Sequence, residues 1–291
     1  MATIAFIGLG HMGLPMALNL LKAGHQVIGY DVQESAVTHF ARLGGLTAKN
    51  IGDAAADKDI IITMLQTGDQ VLQVCPELLD HAQKNTLYID CSTIDVASSR
   101  KVHQLATEKN LLVLDAPVSG GVASASAGTL TFIVGGEEST YTKALPILSA
   151  MGKKIIHTGA AGSGQAAKIC NNMVLGISMI AISEAFLLGE QLGLSAQKLF
   201  EVVSNASGQC WVMDKYVPVP GVLEHVPANS DYKPGFAAAM MLKDLMLGHQ
   251  SAKTADLTLP LGSKACELYQ EFINQGCGNL DFSAIIKLLE V

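Results

Sequence analysis

The sequence predicts a mainly parallel α/β sheet, doubly wound with helices on both faces, followed by an all-α C-terminal domain. Three observations carry this expectation. Short β-like runs alternate with amphipathic stretches through the first half of the chain, the pattern of a parallel sheet with crossover helices. Those runs are apolar at almost every position, as strands buried on both faces are. Near residue 162 the β-like runs stop, and the remaining sequence reads as helix after helix.

Taken in order, the strand candidates are Ile4–Ile7, Gln26–Tyr30, Ile60–Met64, Thr86–Asp90, Leu111–Leu114, Leu130–Val134 and Lys154–His157. Helical patterns fall at Leu14–Lys22, Glu34–Leu43, Ala54–Ala56 and Val96–Glu108. Beyond Gly162 the stretch from Gly164 to Gly193 holds no proline and reads as one long helix, too apolar to lie on a surface alone. Ala196–Ser204, Phe236–Lys253 and Leu261–Gly276 are further helices, and Val217–Gly221 is an irregular connection by its proline and glycine content. The domain boundary is placed near residue 162, with residues 1–162 as the sheet domain and 163–291 as a helical domain for substrate and oligomerisation.

The composition limits the classes of function. A chain of 291 residues accommodates two domains at roughly 150 residues each. With 49% hydrophobic and 15% charged residues it has ample core-forming material. The formal net charge of −7 argues against nucleic acid as a partner. Six cysteines without a CxxC spacing read as reduced thiols of a cytosolic protein, and eight histidines without an HExxH pairing give no reason to expect a metal. The sequence enters a strand at once, so no targeting segment and a cytoplasmic location are expected. Its longest apolar run, Met173–Ile182, is too short to span a bilayer, and no membrane association is expected. An apolar helical domain predicts a homo-oligomer, dimer or tetramer.

Gly8-Leu9-Gly10-His11-Met12-Gly13 is a GxGxxG motif directly after the first strand and at the start of a helical pattern. In that context the motif predicts a Rossmann-like dinucleotide site: a tight turn at the first glycine, close approach of the pyrophosphate at the second, and helix–strand packing at the third. Asp31 follows the second strand, at the spacing where a carboxylate accepts from the ribose hydroxyls, and no arginine lies in Val32-Gln33-Glu34-Ser35 to meet a 2′-phosphate. NAD is therefore expected over NADP; a simple turn residue is the other reading of Asp31.

Ligands in doubly wound sheets lie beyond the carboxyl ends of the strands. Met64, Leu65 and Gln66, with Gln70 just beyond them, and Thr93 after Ser92 are therefore candidates for the nicotinamide half. Thr93 is equally a turn residue before Asp95. Ser119-Gly120-Gly121 follows the strand candidate Leu111–Leu114, and its successive N–H groups can form a concavity for a carboxylate, although the small residues read equally as a flexible loop.

Lys168 and Asn172 stand four residues apart on the long helix and project from one face. A helix N-terminus and partial burial both disfavour an ammonium, which would let Lys168 take a proton from a hydroxyl. Without other information Lys168 reads as a solvated charge and Asn172 as a core amide.

Taken together, the motifs resemble the β-hydroxyacid dehydrogenase family over nearly the whole chain. The resemblance rests on Gly8–Gly13 with Pro15-Met16-Ala17 and Lys22-Ala23-Gly24-His25, on Asp115–Gly121, on Gly162–Asn172 and on Lys243-Asp244-Leu245. It implies that Lys168 is the catalytic lysine, that Asn172 orients a small β-hydroxyacid, and that Ser119, Gly120 and Gly121 hold its carboxylate. It also implies that Lys243 reaches the cofactor, where the plain reading is a solvated helix charge. Lys168–Met173, Ser207–Trp211 and Pro218–Val222 resemble the branch of the family acting on 3-hydroxyisobutyrate, with a tartronate semialdehyde reductase as the neighbouring possibility. The family usually shows arginine where Gln209 stands. Trp211, the only tryptophan, is either a wall of the substrate site or a packing residue. Possession of both Lys168 and Asn172 argues against a non-catalytic NAD-binding regulator.

Overall fold

The computed structural model describes residues 1–290, and the chain divides into two compact units, Met1–Lys168 and Ile169–Val291. Nine strands make one sheet in the first unit: β1 Thr3–Ile7, β2 Gln26–Tyr30, β3 Leu46–Thr47, β4 Ile60–Thr63, β5 Leu87–Asp90, β6 Leu112–Asp115, β7 Val118–Ser119, β8 Leu130–Gly136 and β9 Gly152–Gly159. The order β3-β2-β1-β4-β5-β6 is parallel throughout and reverses direction between β1 and β4. β8 then runs antiparallel to both β6 and β7, and β9 lies parallel to β8. The sheet is thus mainly parallel and Rossmann-like, with an antiparallel turn at one side.

Both faces of the sheet are covered, and strand alternation decides which residue goes where. Ile4, Phe6, Ile60, Ile62, Leu87 and Ile89 pack with Met16 and Leu20 of α1 (Gly13–Lys22) in one core. Ala5, Ile7, Ile61 and Tyr88 point the other way, into a second core. That core is closed by α3 (Ile51–Ala55), α4 (Gly68–His81) and α5 (Val96–Glu108). α2 (Glu34–Arg42) contributes buried Phe40 beside β2.

Several elements were not apparent from the patterning. α4 contains Pro76 and α7 (Glu138–Leu148) contains Pro146, each of which removes one backbone hydrogen bond and reads locally as a helix end. Packing overrides both. The small-residue stretch after Gly120 forms α6 (Gly121–Ala127) rather than a loop. Ala125 is buried there, and Asn19 Nδ2 donates to its carbonyl at 2.7 Å. β3 is an exposed two-residue edge with no apolar alternation to announce it.

α8 (Ser163–Gln191) is the long proline-free helix. By length and composition it could cross a bilayer, with a mean hydropathy of 1.7. Met179, Ile180, Ile182 and Phe186 lie in the core of the second unit, which accounts for much of that apolarity. The unit continues with α9 (Ala196–Val203), α10 (Trp211–Lys215), α11 (Ala238–Thr254), α12 (Pro260–Phe272) and α13 (Ile286–Leu289). α11 begins two residues after the expected start. α12 passes into a π-helical turn, Ile273–Cys277, where Gly276 adopts a positive φ of 85°. α8 and α11 approach closely at Gly176, where a Cβ would sit 2.9 Å from Leu245. Asp281, fully buried, fastens the C-terminal segment by accepting from the N–H groups of Gly235, Phe236 and Ser283 and from the Tyr216 hydroxyl.

Candidate active site

The turn after β1 lies where the strand order reverses, and its three glycines have different surroundings. Gly8 has φ +96°, its N–H donates to the Tyr30 carbonyl at 2.9 Å, and a Cβ would fall 2.3 Å from the Met64 carbonyl. A Cβ on Gly13 would fall 1.9 Å from the Gly8 carbonyl, so α1 can start this close to β1 only with glycine there. Gly10 is exposed, with nothing within 4 Å of where a Cβ would be. Two glycines are thus required by packing, and the third leaves the backbone open. Leu9 is buried, Met12 is half-buried and His11 faces solvent. The first turn of α1 carries no acidic residue and no side-chain cap, so its N–H groups and dipole suit a pyrophosphate. These features fit a bound NAD.

Asp31 accepts the Leu9 N–H at 2.7 Å and the Gln33 N–H at 2.8 Å. It braces the glycine loop, a tie that spacing alone does not announce. Its carboxylate keeps further lone pairs for hydroxyl donors.

Beyond β4, Met64 and Leu65 are half-buried, and the Leu65 N–H donates to Ser92 Oγ at 2.9 Å. Gln66 is exposed, and its N–H donates to Gln70 Oε1 at 3.0 Å. Gln70 lies in the first turn of α4, so its amide oxygen shapes the 64–66 turn. Thr93 is half-buried, two residues before Asp95, which caps α5 through the Ser98 N–H.

Buried acids close off the strand ends. Asp90, on β5, is directly opposite Asp115 on β6. Its Oδ1 accepts from Thr63 Oγ1 at 2.8 Å, whereas its Oδ2 is buried without a hydrogen-bond partner. Burial pushes the Asp90 carboxyl up to about 6. Asp115 is 1% exposed and accepts from His103 Nε2 at 2.9 Å and from the N–H groups of Gly162 (2.8 Å) and Gln165 (3.0 Å). A Cβ on Gly164 would come within 2.5 Å of the Ile133 carbonyl and 2.7 Å of Asp115, so the Gly162-Ser163-Gly164 opening of α8 needs glycine for this contact. Three residues after Gln165 comes Lys168, 7% exposed.

Ser119 ends β7, paired with Thr131 of β8, and leads into Gly120 and Gly121, both at positive φ (132° and 68°). Gly120 is exposed, and a Cβ there would lie 2.6 Å from Ser124. These two residues turn the backbone in a way that L side chains resist.

In the second unit Asn172, 2% exposed, donates through Nδ2 to Asp244 and accepts from Asn171 Nδ2 at 2.9 Å. Asp244 in turn pairs with Lys243 at 3.0 Å. The helix spacing of 243 and 244 gave no hint of this link to Asn172. Trp211 opens α10, is 53% exposed and stacks on Tyr216, which stacks on Phe282. Gln209 is exposed and hydrogen-bonded to Asp214. Among the described residues no cluster of three or more His, Cys, Asp or Glu could hold a metal.

Two family models span the chain. One describes the NAD binding domain of 6-phosphogluconate dehydrogenase and matches residues 3–159. The other, described as NAD-binding of NADP-dependent 3-hydroxyisobutyrate dehydrogenase, matches residues 162–289. A probable 3-hydroxyisobutyrate dehydrogenase of Mycobacterium tuberculosis is 50% identical over 289 residues, 99% of this chain and 98% of that protein. An NAD-dependent L-serine dehydrogenase of Pseudomonas aeruginosa is 45% identical over 293 residues, 100% of this chain and 98% of that protein. The solved structure of the M. tuberculosis 3-hydroxyisobutyrate dehydrogenase with L-serine matches with a TM-score of 0.97 at 50% identity, covering 100% of both chains. The chain belongs to the 3-hydroxyisobutyrate dehydrogenase family and is an NAD-dependent hydroxyacid dehydrogenase.

Proposed function

We propose that the protein oxidises 3-hydroxyisobutyrate to methylmalonate semialdehyde, a step of valine breakdown, with Lys168 as general acid/base. The observation that carries this is a lysine only 7% exposed, near the start of a helix whose first N–H groups are held by Asp115. Lysine is seldom buried so far without a specific task or partner. NAD, when bound, supplies the hydride acceptor. The chain's part is orientation and proton transfer: Ser119, Gly120 and Gly121 receive the carboxylate through backbone N–H groups, and Lys168 accepts the hydroxyl proton. Asn172, one turn along α8 with its amide pinned by Asp244, orients the hydroxyl. Lys243 is proposed to contact the cofactor and Trp211 the substrate, as the family resemblance implies.

A second reading has specific support. The relative named an L-serine dehydrogenase and the matched structure with L-serine both favour L-serine as substrate. L-serine carries an amino group where 3-hydroxyisobutyrate carries a methyl, and the two share the carboxylate and β-hydroxyl. NADH formation from 3-hydroxyisobutyrate, L-serine and glycerate, compared as kcat/KM, decides between them. A preference for glycerate points to the tartronate semialdehyde activity instead. In the same assay Lys168→Ala should lower kcat by ~10²–10⁴-fold. Lys168→Arg should not restore it, because a guanidinium stays protonated. Near-parent turnover in Lys168→Ala would remove the general base from this scheme. We further propose a cytoplasmic homo-oligomer, supported by exposed Val174, Leu188, Leu192 and Val202 in the second unit. Light scattering on the eluted protein reads the oligomeric state, and a monomer mass would refute it.

A further inference from the structure

Buried polar groups at the carboxyl ends of β4, β5 and β6 form one connected network that reaches the first turn of α8. Thr63 Oγ1 and the Ser92 N–H both donate to Asp90 Oδ1, at 2.8 and 3.1 Å. The Ser92 carbonyl accepts from Gln165 Nε2 at 2.7 Å, and Gln165 Oε1 accepts the Ile94 N–H at 3.1 Å. The backbone N–H of Gln165 goes to Asp115 Oδ2, while Asp115 Oδ1 takes the Gly162 N–H and His103 Nε2. Gln165 is fully buried.

Helix N-termini need acceptors for their first N–H groups, ordinarily supplied by a neighbouring side chain in sequence. Here the acceptor comes from another strand, 50 residues away in the chain for Gln165. A charged acceptor in this place also meets the positive end of the helix dipole. Gln165 adds a different constraint. Both ends of its amide are bonded to the 92–94 backbone, so the first turn of α8 is fixed in rotation about the helix axis as well as in position. Lys168 lies three residues on, on the neighbouring turn of the same helix face.

We infer that Asp115 and Gln165 are positioning residues for Lys168: Asp115 sets where α8 begins, and Gln165 sets the direction in which the lysine is presented. This rests on the proposed proton-transfer role of Lys168. Misplacing a reacting group by about 1 Å costs on the order of 10²-fold in rate. The side chains involved touch neither substrate nor cofactor in this scheme; they act through the helix.

The test is a double-mutant cycle on the full-length enzyme, with NADH production as the readout. Gln165→Met keeps the side-chain length and removes both amide bonds. It should lower kcat by about 10- to 100-fold while the substrate KM and the NAD affinity, read by nucleotide titration, stay at parent values. Combined with Lys168→Ala, Gln165→Met should cause no additional loss, because residues acting as one unit are non-additive. Parent-like kcat in Gln165→Met overturns the inference. So does a loss that adds in full to Lys168→Ala, or one confined to KM or NAD affinity. Lys168→Ala with near-parent turnover overturns the proton-transfer reading itself, whatever Gln165→Met does. Asp115→Asn should show the same split; if it fails to fold, seen as lost NAD binding and thermal transition, the Gln165→Met cycle decides.

Discussion

Asp90 provides a test of the electrostatics beneath the proposed site. Its carboxyl is pushed by burial from the ordinary 3.8 to about 6, because one oxygen lies in the core without a partner. The folded protein therefore holds this proton to higher pH than the unfolded chain does. A raised carboxyl makes its stabilising contribution below the unfolded value, loses it progressively through about pH 4 to 6, and leaves the full cost of a buried charge above that. The whole window corresponds to about 3 kcal/mol, at 1.36 kcal/mol per pKa unit. Between pH 5 and pH 8 the remaining part is roughly 1 kcal/mol. Asp90→Asn keeps an acceptor for Thr63 and the Ser92 N–H but cannot ionise. It places a buried N–H₂ where Oδ2 stood, a pH-independent cost of about 1–3 kcal/mol. The variant can therefore be the less stable protein at pH 5, yet it must gain on the parent as pH rises. In thermal unfolding the variant-minus-parent Tm should rise by about 2–4 °C from pH 5 to pH 8, taking ~1 kcal/mol for a unit of this size. A difference that stays constant across that range would show that Asp90 is already ionised at pH 5 in the folded protein.

Two further outcomes follow from the cradle and the loop. Asp31→Ser should weaken NAD binding by roughly 1.5–3 kcal/mol and relax discrimination against NADP if Asp31 reads the ribose, since a charged acceptor is then lost from the ribose as well as from the Leu9 N–H; competitive titration with the two nucleotides measures it, and unchanged discrimination would leave Asp31 with only its loop-bracing role. Gly120→Val forces a side chain onto a φ of +132° and against Ser124, so the substrate KM should rise or turnover vanish while NAD affinity is kept. A parallel loss of NAD binding would indicate collapse of the loop instead.

The glycine fingerprint, the seven strands with apolar runs and the long apolar helix were legible because each writes its rule locally: a motif, an apolar run, a period. What escaped has non-local causes. Pro76 and Pro146 argue locally for helix ends, and only tertiary packing shows that α4 and α7 continue through them. Residues 121–127 look like a loop until Ala125 is seen buried. The same holds within the candidate site. Lys168, Asn172, Asp31 and the Ser119–Gly121 loop stand out in the sequence by motif and resemblance. In the sequence Gln165 is one of several small or polar residues in the α8 opening, and the partners of its side chain lie more than 70 residues away. His103 is equally silent, because a buried polar residue shows no periodicity of its own, and the motif that contains Asp244 does not reveal its bond to Asn172.

The place of β1 in the sheet also orders events during synthesis. β1 is made before β2 and β4, and it pairs on one side with β2 and on the other with β4, whose residues are Ile60–Thr63. The Met64 N–H bonds to the Ile7 carbonyl, and the Met64 carbonyl is the surface against which Gly8 fits. A nascent chain that stops short of β4 carries the whole glycine fingerprint but lacks one wall of the turn that gives it shape. Pairings between strands this far apart in sequence are slow to form, since the intervening chain must first be closed into a loop. The nucleotide cradle is therefore encoded between β1 and α1 and acquires its form only after β4 has arrived.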